Sequence, residues 1–227
     1  METISYEVAG LQLVDVNIFV SDTLLAIVCL VCYFRLNALL GERLERRYWR
    51  SFFLLLGISA FLGGVGHLFL KYPWGKPIML VSWVLNAVAV FRLERAVIEQ
   101  IRQERWRRWL IIGIYLKLAA AIVLILLKGS YNVAAITSAV GMIGILLPVV
   151  LTLIRERTDR AVYYFVGGFV VSALAGLAFM LKWDISRWIN HADLGHYLIA
   201  LSMVLFYLAV RWLKRETLLY PARETWY

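Results

Sequence analysis

Residues 50–70 read RSFFLLLGISAFLGGVGHLFL. Between Arg50 and Lys71 nothing is formally charged, and the polar interruptions are Ser51, Ser59 and His67. A helix needs roughly 20 mostly apolar residues to cross the hydrocarbon core of a bilayer, and this stretch supplies them. Apolar runs of similar length recur on both sides of it. Together they predict spans at 17–40, 50–70, 77–98, 109–127, 132–154, 161–182 and 190–213. The expected fold is an all-α membrane protein: a single seven-transmembrane-helix bundle over residues 1–227, with short connections that make successive helices antiparallel.

Composition points the same way. The 227 residues are 62% hydrophobic with a mean hydropathy of +0.75, whereas soluble domains run at about 45–50% apolar. A soluble chain of this size has no core large enough to hide that surface, so membrane lipid is the expected partner. The net charge of +9 does not indicate nucleic acid, because the basic residues lie between apolar runs rather than on one compact face. They concentrate in GERLERRYWR (41–50), ERAVIEQIRQERWRRW (94–109), RERTDR (155–160) and RWLKRETLLYPARETWY (211–227). The opposite connections carry Lys71, Lys76, Lys128, Lys182 and Arg187. The positive-inside rule then puts the C-terminus in the cytoplasm, and an odd number of crossings puts the N-terminus outside. The start of the chain carries Glu2, Glu7 and Asp15 and lacks the basic region of a signal peptide. The expected location is the bacterial inner (plasma) membrane, as a multi-pass protein. Tyr48, Trp49, Tyr72, Trp74, Trp106, Trp109, Trp183 and Trp188 stand at run ends, where an interfacial aromatic belt is expected. Cys29 and Cys32, both inside one apolar run, read as packing residues.

The polar residues inside the spans are the candidates for function. The histidines are His67, His191 and His196. With the second span running outward and the seventh inward, all three lie near the outer face, within roughly 10 Å of their helix ends at 1.5 Å per residue. Asp22 lies early in the first span, where an ionisable group is costly and faces a bundle interior or water. Asp193 precedes His196 by three residues and shares its helical face. Asp184 falls in an outer connection, and Asn86 lies deeper on the third span. Ala60, Gly63, Gly64 and His67 share one face of the second span. That face serves either a close helix contact or a pocket beside His67 with Gly63, Gly64 and Asn86 on its wall. Ser59 is two turns below His67 and is expected to bond back to its own helix. Pro148 is expected to kink the fifth span. Lys117, inside the fourth, is expected to snorkel or pair with a carboxylate.

Imidazole and carboxylate are ligands of catalytic zinc. His67, His191, His196 and Asp193 are the candidate metal ligands, with Asp22 as a proton-relaying catalytic group. His191 and His196 are five residues apart, about 140° around a regular helix. They converge only if His191 precedes the helix proper, with Asn190 at the cap. Asp193 reads equally as a first-turn carboxylate set against the helix dipole.

Seven spans, an outward N-terminus, Ser59 and His67 on the second span, and His191 and His196 on the seventh resemble the CREST superfamily of membrane hydrolases, which includes alkaline ceramidases and progestin-and-adipoQ receptors. The resemblance is architectural and covers most of the chain. It implies that His67, His191 and His196 hold a zinc ion that activates water against an amide. Ser59 and His67 are eight residues apart where the family has four. The seventh-span pair is HADLGH rather than HxxxH, and the third span offers Asn86 rather than an aspartate. Carry-over therefore stops at the three histidines.

Three functions follow as expectations. The first is a metal-dependent hydrolase of a lipid-like amide or ester substrate. The second is a non-enzymatic receptor, transporter or assembly subunit with a proton or ion site. The third, after zinc, is a haem protein with His67 and His196 as axial ligands.

Overall fold

The computed structural model describes residues 4–39, 44–99, 101, 103–149, 151 and 160–212. Among the described residues, seven helices are long and apolar enough to cross a membrane. They are α1 (Val16–Leu39), α2 (Leu44–Leu68), α3 (Gly75–Ile98), α4 (Glu104–Lys128), α5 (beginning Tyr131–Gly141), α6 (Arg160–Met180) and α7 (His191–Trp212). Each matches one expected span, with ends shifted by a few residues. The protein is a multi-pass helical membrane protein. The basic segments 41–43, 155–159 and 213–227 lie outside the described residues.

Side-chain contacts fix which helix ends meet. The guanidinium of Arg95, near the end of α3, lies 5.0 Å from the centre of the Tyr48 ring, near the start of α2. Arg160, at the start of α6, lies over Trp212, at the end of α7. This is the basic end of the bundle. At the other end Asn17 of α1 donates to Asp193 of α7 at 2.6 Å, and the α2–α3 turn lies beside the N-terminal segment.

That segment is an element the hydropathy pattern does not announce. β1 (Ser5–Val8) pairs antiparallel with β2 (Leu11–Val14), closing at Val8↔Leu11. The two loop residues, Ala9 and Gly10, have φ of 52° and 79°. Positive φ at both positions is what a two-residue hairpin needs to match strand twist. The Gln12 N–H donates to the Tyr72 hydroxyl at 2.9 Å, tying the hairpin to the α2–α3 turn.

The core runs between α1, α2, α3, α6 and α7, with Leu146 and Val149 of α5 packed into it. Trp49 is fully buried among Phe52, Phe53, Phe165 and Phe206. It departs from the interfacial expectation, while Trp106, Trp109, Trp183 and Trp188 are exposed. Cys29 and Cys32 are free thiols buried in the same core. Small residues bring the helices together. A methyl at Gly168 meets the Phe206 ring at 2.8 Å, and Ser202 donates to the Gly168 carbonyl at 2.8 Å. Ser59 donates not within its own helix but to the Ser82 carbonyl of α3, and Ser82 returns a bond to the Ser59 carbonyl, both at 2.8 Å. This corrects the back-bonding expectation: across a tight helix contact each hydroxyl finds a carbonyl on its neighbour.

In α5 the chain runs through π-helical turns over Met142–Leu146, ahead of Pro148, the residue expected to kink it. The Leu147 N–H bonds back to the Met142 carbonyl. Proline has no N–H and its ring crowds the preceding turn, and a widened turn just before it relieves both.

Candidate functional site

At the hairpin end the first turns of α1 gather against α7. Asp15 precedes α1 with φ 51°, a left-handed conformation that aspartate tolerates better than most residues. Its carbonyl accepts the first helical bond from Phe19, and its carboxylate Oδ2 lies 3.5 Å from His67 Nδ1 on α2. That separation is an ion-pair approach rather than a hydrogen bond, and His67 Nδ1 is buried without a hydrogen-bond partner.

α7 begins with a reciprocal cap. Asn190 Oδ1 accepts from the N–H groups of Ala192 (2.8 Å) and Asp193 (3.2 Å), and Asp193 Oδ2 accepts from Asn190 N–H at 3.1 Å. This is a capping box built from Asn and Asp. It accounts for Asp193 as a first-turn carboxylate, yet Asp193 does more. Fully buried, it also accepts from Asn17 Nδ2 and, at 2.9 Å, from Ser21 Oγ.

Ser21 links Asp193 to His196. Its Oγ lies 3.0 Å from His196 Nδ1, and His196 Nε2 lies 3.4 Å from Asp22 Oδ1. The chain Asp193–Ser21–His196–Asp22 thus joins α7 to α1 twice. Ser21 has one hydroxyl proton. If it went to His196, a lone pair of Ser21 would face the Asp193 carboxylate at 2.9 Å. The Ile18 carbonyl also lies 3.0 Å from this hydroxyl; donation to Asp193, the charged acceptor, avoids that repulsion and leaves Nδ1–H of His196 to donate to Ser21. His196 Nε2 and Asp22 Oδ1 face each other at 3.4 Å, an ion-pair approach like that of His67 and Asp15 rather than a hydrogen bond. A proton on the carboxyl leaves both groups neutral, and one on the imidazole forms an ion pair.

Other candidates go elsewhere. His191 turns to the connection before α7, where its Nδ1 and backbone N–H both meet Asp184 Oδ1, at 2.8 and 2.7 Å. The His191 side chain, followed by its backbone N–H, holds the exposed Asp184 carboxyl below the usual carboxylate range. Asn86 donates to Ser138 of α5 at 3.4 Å, away from the chain of polar groups. The face of Gly63 and Gly64 is filled. A methyl at Gly63 comes within 3.0 Å of Ser82 Oγ, and one at Gly64 within 3.0 Å of Asp22 Cβ and 3.3 Å of the Phe19 backbone. The glycines let α1 and α3 close on α2, and Asp22 occupies the position beside them.

A zinc ion needs three or four protein donors at about 2 Å. Among the described residues no three His, Cys, Asp or Glu side chains form a group that could hold a metal. With His191 turned to Asp184 and Asp193 saturated by the cap, Asn17 and Ser21, the four expected ligands do not fit that requirement as placed. Ser21, His196 and Asp22 also have the residue types of a nucleophile, base and orienting acid. Ser21 is fully buried and bonds to Asp193, which places its hydroxyl out of a substrate's reach.

Asp15, Asn17 and Ser21 are not evident from hydropathy. Their signal is a polar stripe, with Asn17 and Ser21 one turn apart and Asp22 beside them, at the start of an otherwise apolar helix.

Fold and site define a seven-span integral membrane protein with an ionisable polar network buried at one end. Residues 18–215 match DUF6962, a family of unknown function, and the chain belongs to that family. No curated protein matches the chain, and no solved structure does.

Proposed function

We propose that this protein is a non-enzymatic, proton-responsive membrane protein of the receptor or transporter class, with Asp22 and His196 as its proton-binding pair. The observation that carries this reading is the hydrogen-bonded chain from Asp193 through Ser21 to His196, with the buried Asp22 carboxylate 3.4 Å beyond the partly buried imidazole. Ionisable groups inside a membrane mark proton or ion sites more often than scaffolding. Moving the proton from Asp22 Oδ1 to His196 Nε2 creates a buried ion pair, and removing it leaves one buried negative charge. Each state alters the attraction between α1 and α7. In this reading the hairpin end faces outward from the plasma membrane, as the basic connections require, so the pair responds to external pH.

The test is a pH titration of the purified protein in lipid nanodiscs, followed by infrared difference spectroscopy of carboxyl groups. The wild type is expected to show a carboxyl signal that disappears in Asp22→Asn and moves in His196→Gln. A spectrum unchanged by both substitutions would overturn the reading. Near-stoichiometric zinc in the tag-free protein, lost in His67→Ala, would overturn it in favour of a metal-dependent hydrolase.

A further inference from the structure

The opposite end of the bundle holds a second set of polar groups, and these lack acceptors. Arg92 and Arg95 lie one turn apart near the end of α3, and both guanidinium groups face the ring of Tyr48 on α2, 5.6 and 5.0 Å from its centre. Arg95 is 8% exposed. Its Nη2 meets the Glu99 carboxylate and the Tyr48 hydroxyl. Arg95 Nε and Nη1 and Arg92 Nε are buried with no hydrogen-bond partner. Buried guanidinium N–H groups are seldom left unpaired, because each forfeits a charge-assisted bond to water.

The carboxylates nearby are engaged as well. Glu99 pairs with Arg95 and is approached by Arg107 at 3.8 Å, and Arg107 also pairs with Glu104. The nearby Glu94 carboxylate is already paired with Lys117. Three directed N–H donors without an acceptor, on two adjacent guanidinium groups, describe a site short of an oxyanion. Guanidinium forks match the oxygens of phosphate. The Tyr48 ring, held by the two cations, forms the wall against α2.

We infer that Arg92 and Arg95, backed by Tyr48, form a binding site for a phosphate group at the basic end of the bundle, supplied by a phospholipid headgroup or by a soluble phosphate ester. The site is independent of the proton-binding pair, since it shares no residue with it.

The test uses the full chain in two nanodisc compositions, neutral phosphatidylcholine alone and phosphatidylcholine with phosphatidylglycerol, and inorganic phosphate titrated into the neutral discs. Thermal stability and retained lipid, read by native mass spectrometry, are the measurements. Wild type is expected to retain an anionic lipid, or to be stabilised by inorganic phosphate in neutral discs. The first outcome names the headgroup as source and the second a soluble phosphate. Arg92→Lys/Arg95→Lys keeps the charge but loses the forked donors, and it should bind at least tenfold more weakly. Arg108→Gln, an exposed basic residue paired with Glu104, should bind like wild type. Equal binding by the double-lysine variant, an equal loss in Arg108→Gln, or no binding in either arm would overturn the inference.

Discussion

At the residue scale two ion pairs invite opposite treatments. Glu94 is fully buried and pairs with Lys117, which also donates to the Thr137 carbonyl at 3.3 Å. Gly141 of α5 leaves room for the pair, since a methyl there clashes with both side chains. Lys117→Met strands a buried carboxylate and should destabilise the protein by about 3–5 kcal/mol, whereas the double variant with Glu94→Gln should recover most of that loss. Thermal unfolding in detergent at neutral pH checks both. Asp184 is different, being an exposed carboxylate stabilised by His191. Because its folded pKa is depressed, its contribution is present above the ordinary aspartate value of about 4 and is lost as pH falls through the lower folded value. Asp184→Asn should therefore narrow the stability difference between neutral and acid pH. An unchanged difference in melting scans between neutral pH and about pH 3 would contradict this.

The element scale shows what hydropathy carries and what it does not. All seven helices were legible as apolar runs, and the ion pair of Lys117 was legible because a lone charge in a span has few alternatives. The hairpin was not, since it depends on Ala9 taking a left-handed conformation that no sequence preference announces. The candidate site was legible in part. Asp22 and His196 emerge as costly groups in apolar surroundings. Their link, Ser21, is indistinguishable in sequence from the many serines that bond to their own helix. The parting of His191 from His196 follows from their five-residue spacing, which sends the two side chains to different sides of α7. Small residues on α6 likewise read alike in sequence but differ in place. Gly168 abuts the Phe206 ring, whereas a methyl at Gly176 meets nothing within 4 Å. Gly168→Ala should cost about 1–3 kcal/mol through overpacking, while Gly176→Ala should be neutral or stabilising by up to about 1 kcal/mol through helix propensity. Denaturation of the two variants side by side distinguishes them.

At the scale of the whole molecule, the seven spans sort the connections between two ends of the bundle. The hairpin loop, the α4–α5 turn and the connection before α7 belong to one end, and the start of α4 belongs to the other. In the proposed orientation, single cysteines at Gly10, Ser130 and Ser186, in a background with Cys29 and Cys32 changed to alanine, should all react with an impermeant thiol reagent added outside intact cells. A cysteine at Arg105 should react only after the membrane is opened. Labelling of Arg105 together with Gly10 would contradict the seven-span topology.

The Glu94–Lys117 contact has a consequence for how the chain is made. The third helix carries Arg92, Glu94 and Arg95 in its last two turns, and a charged side chain costs up to about 2.5–3.5 kcal/mol during insertion, less toward the end of a span than at its centre. The fourth helix holds the counter-charge and, with a mean hydropathy of 2.7, the most strongly apolar window of the seven. The third segment leaving the ribosome is thus a poor candidate to enter lipid alone. It becomes a good one when its successor arrives. The pairing of Lys117 with Glu94 thus favours entry of the two segments together, since each side chain then meets hydrocarbon beside its counter-charge.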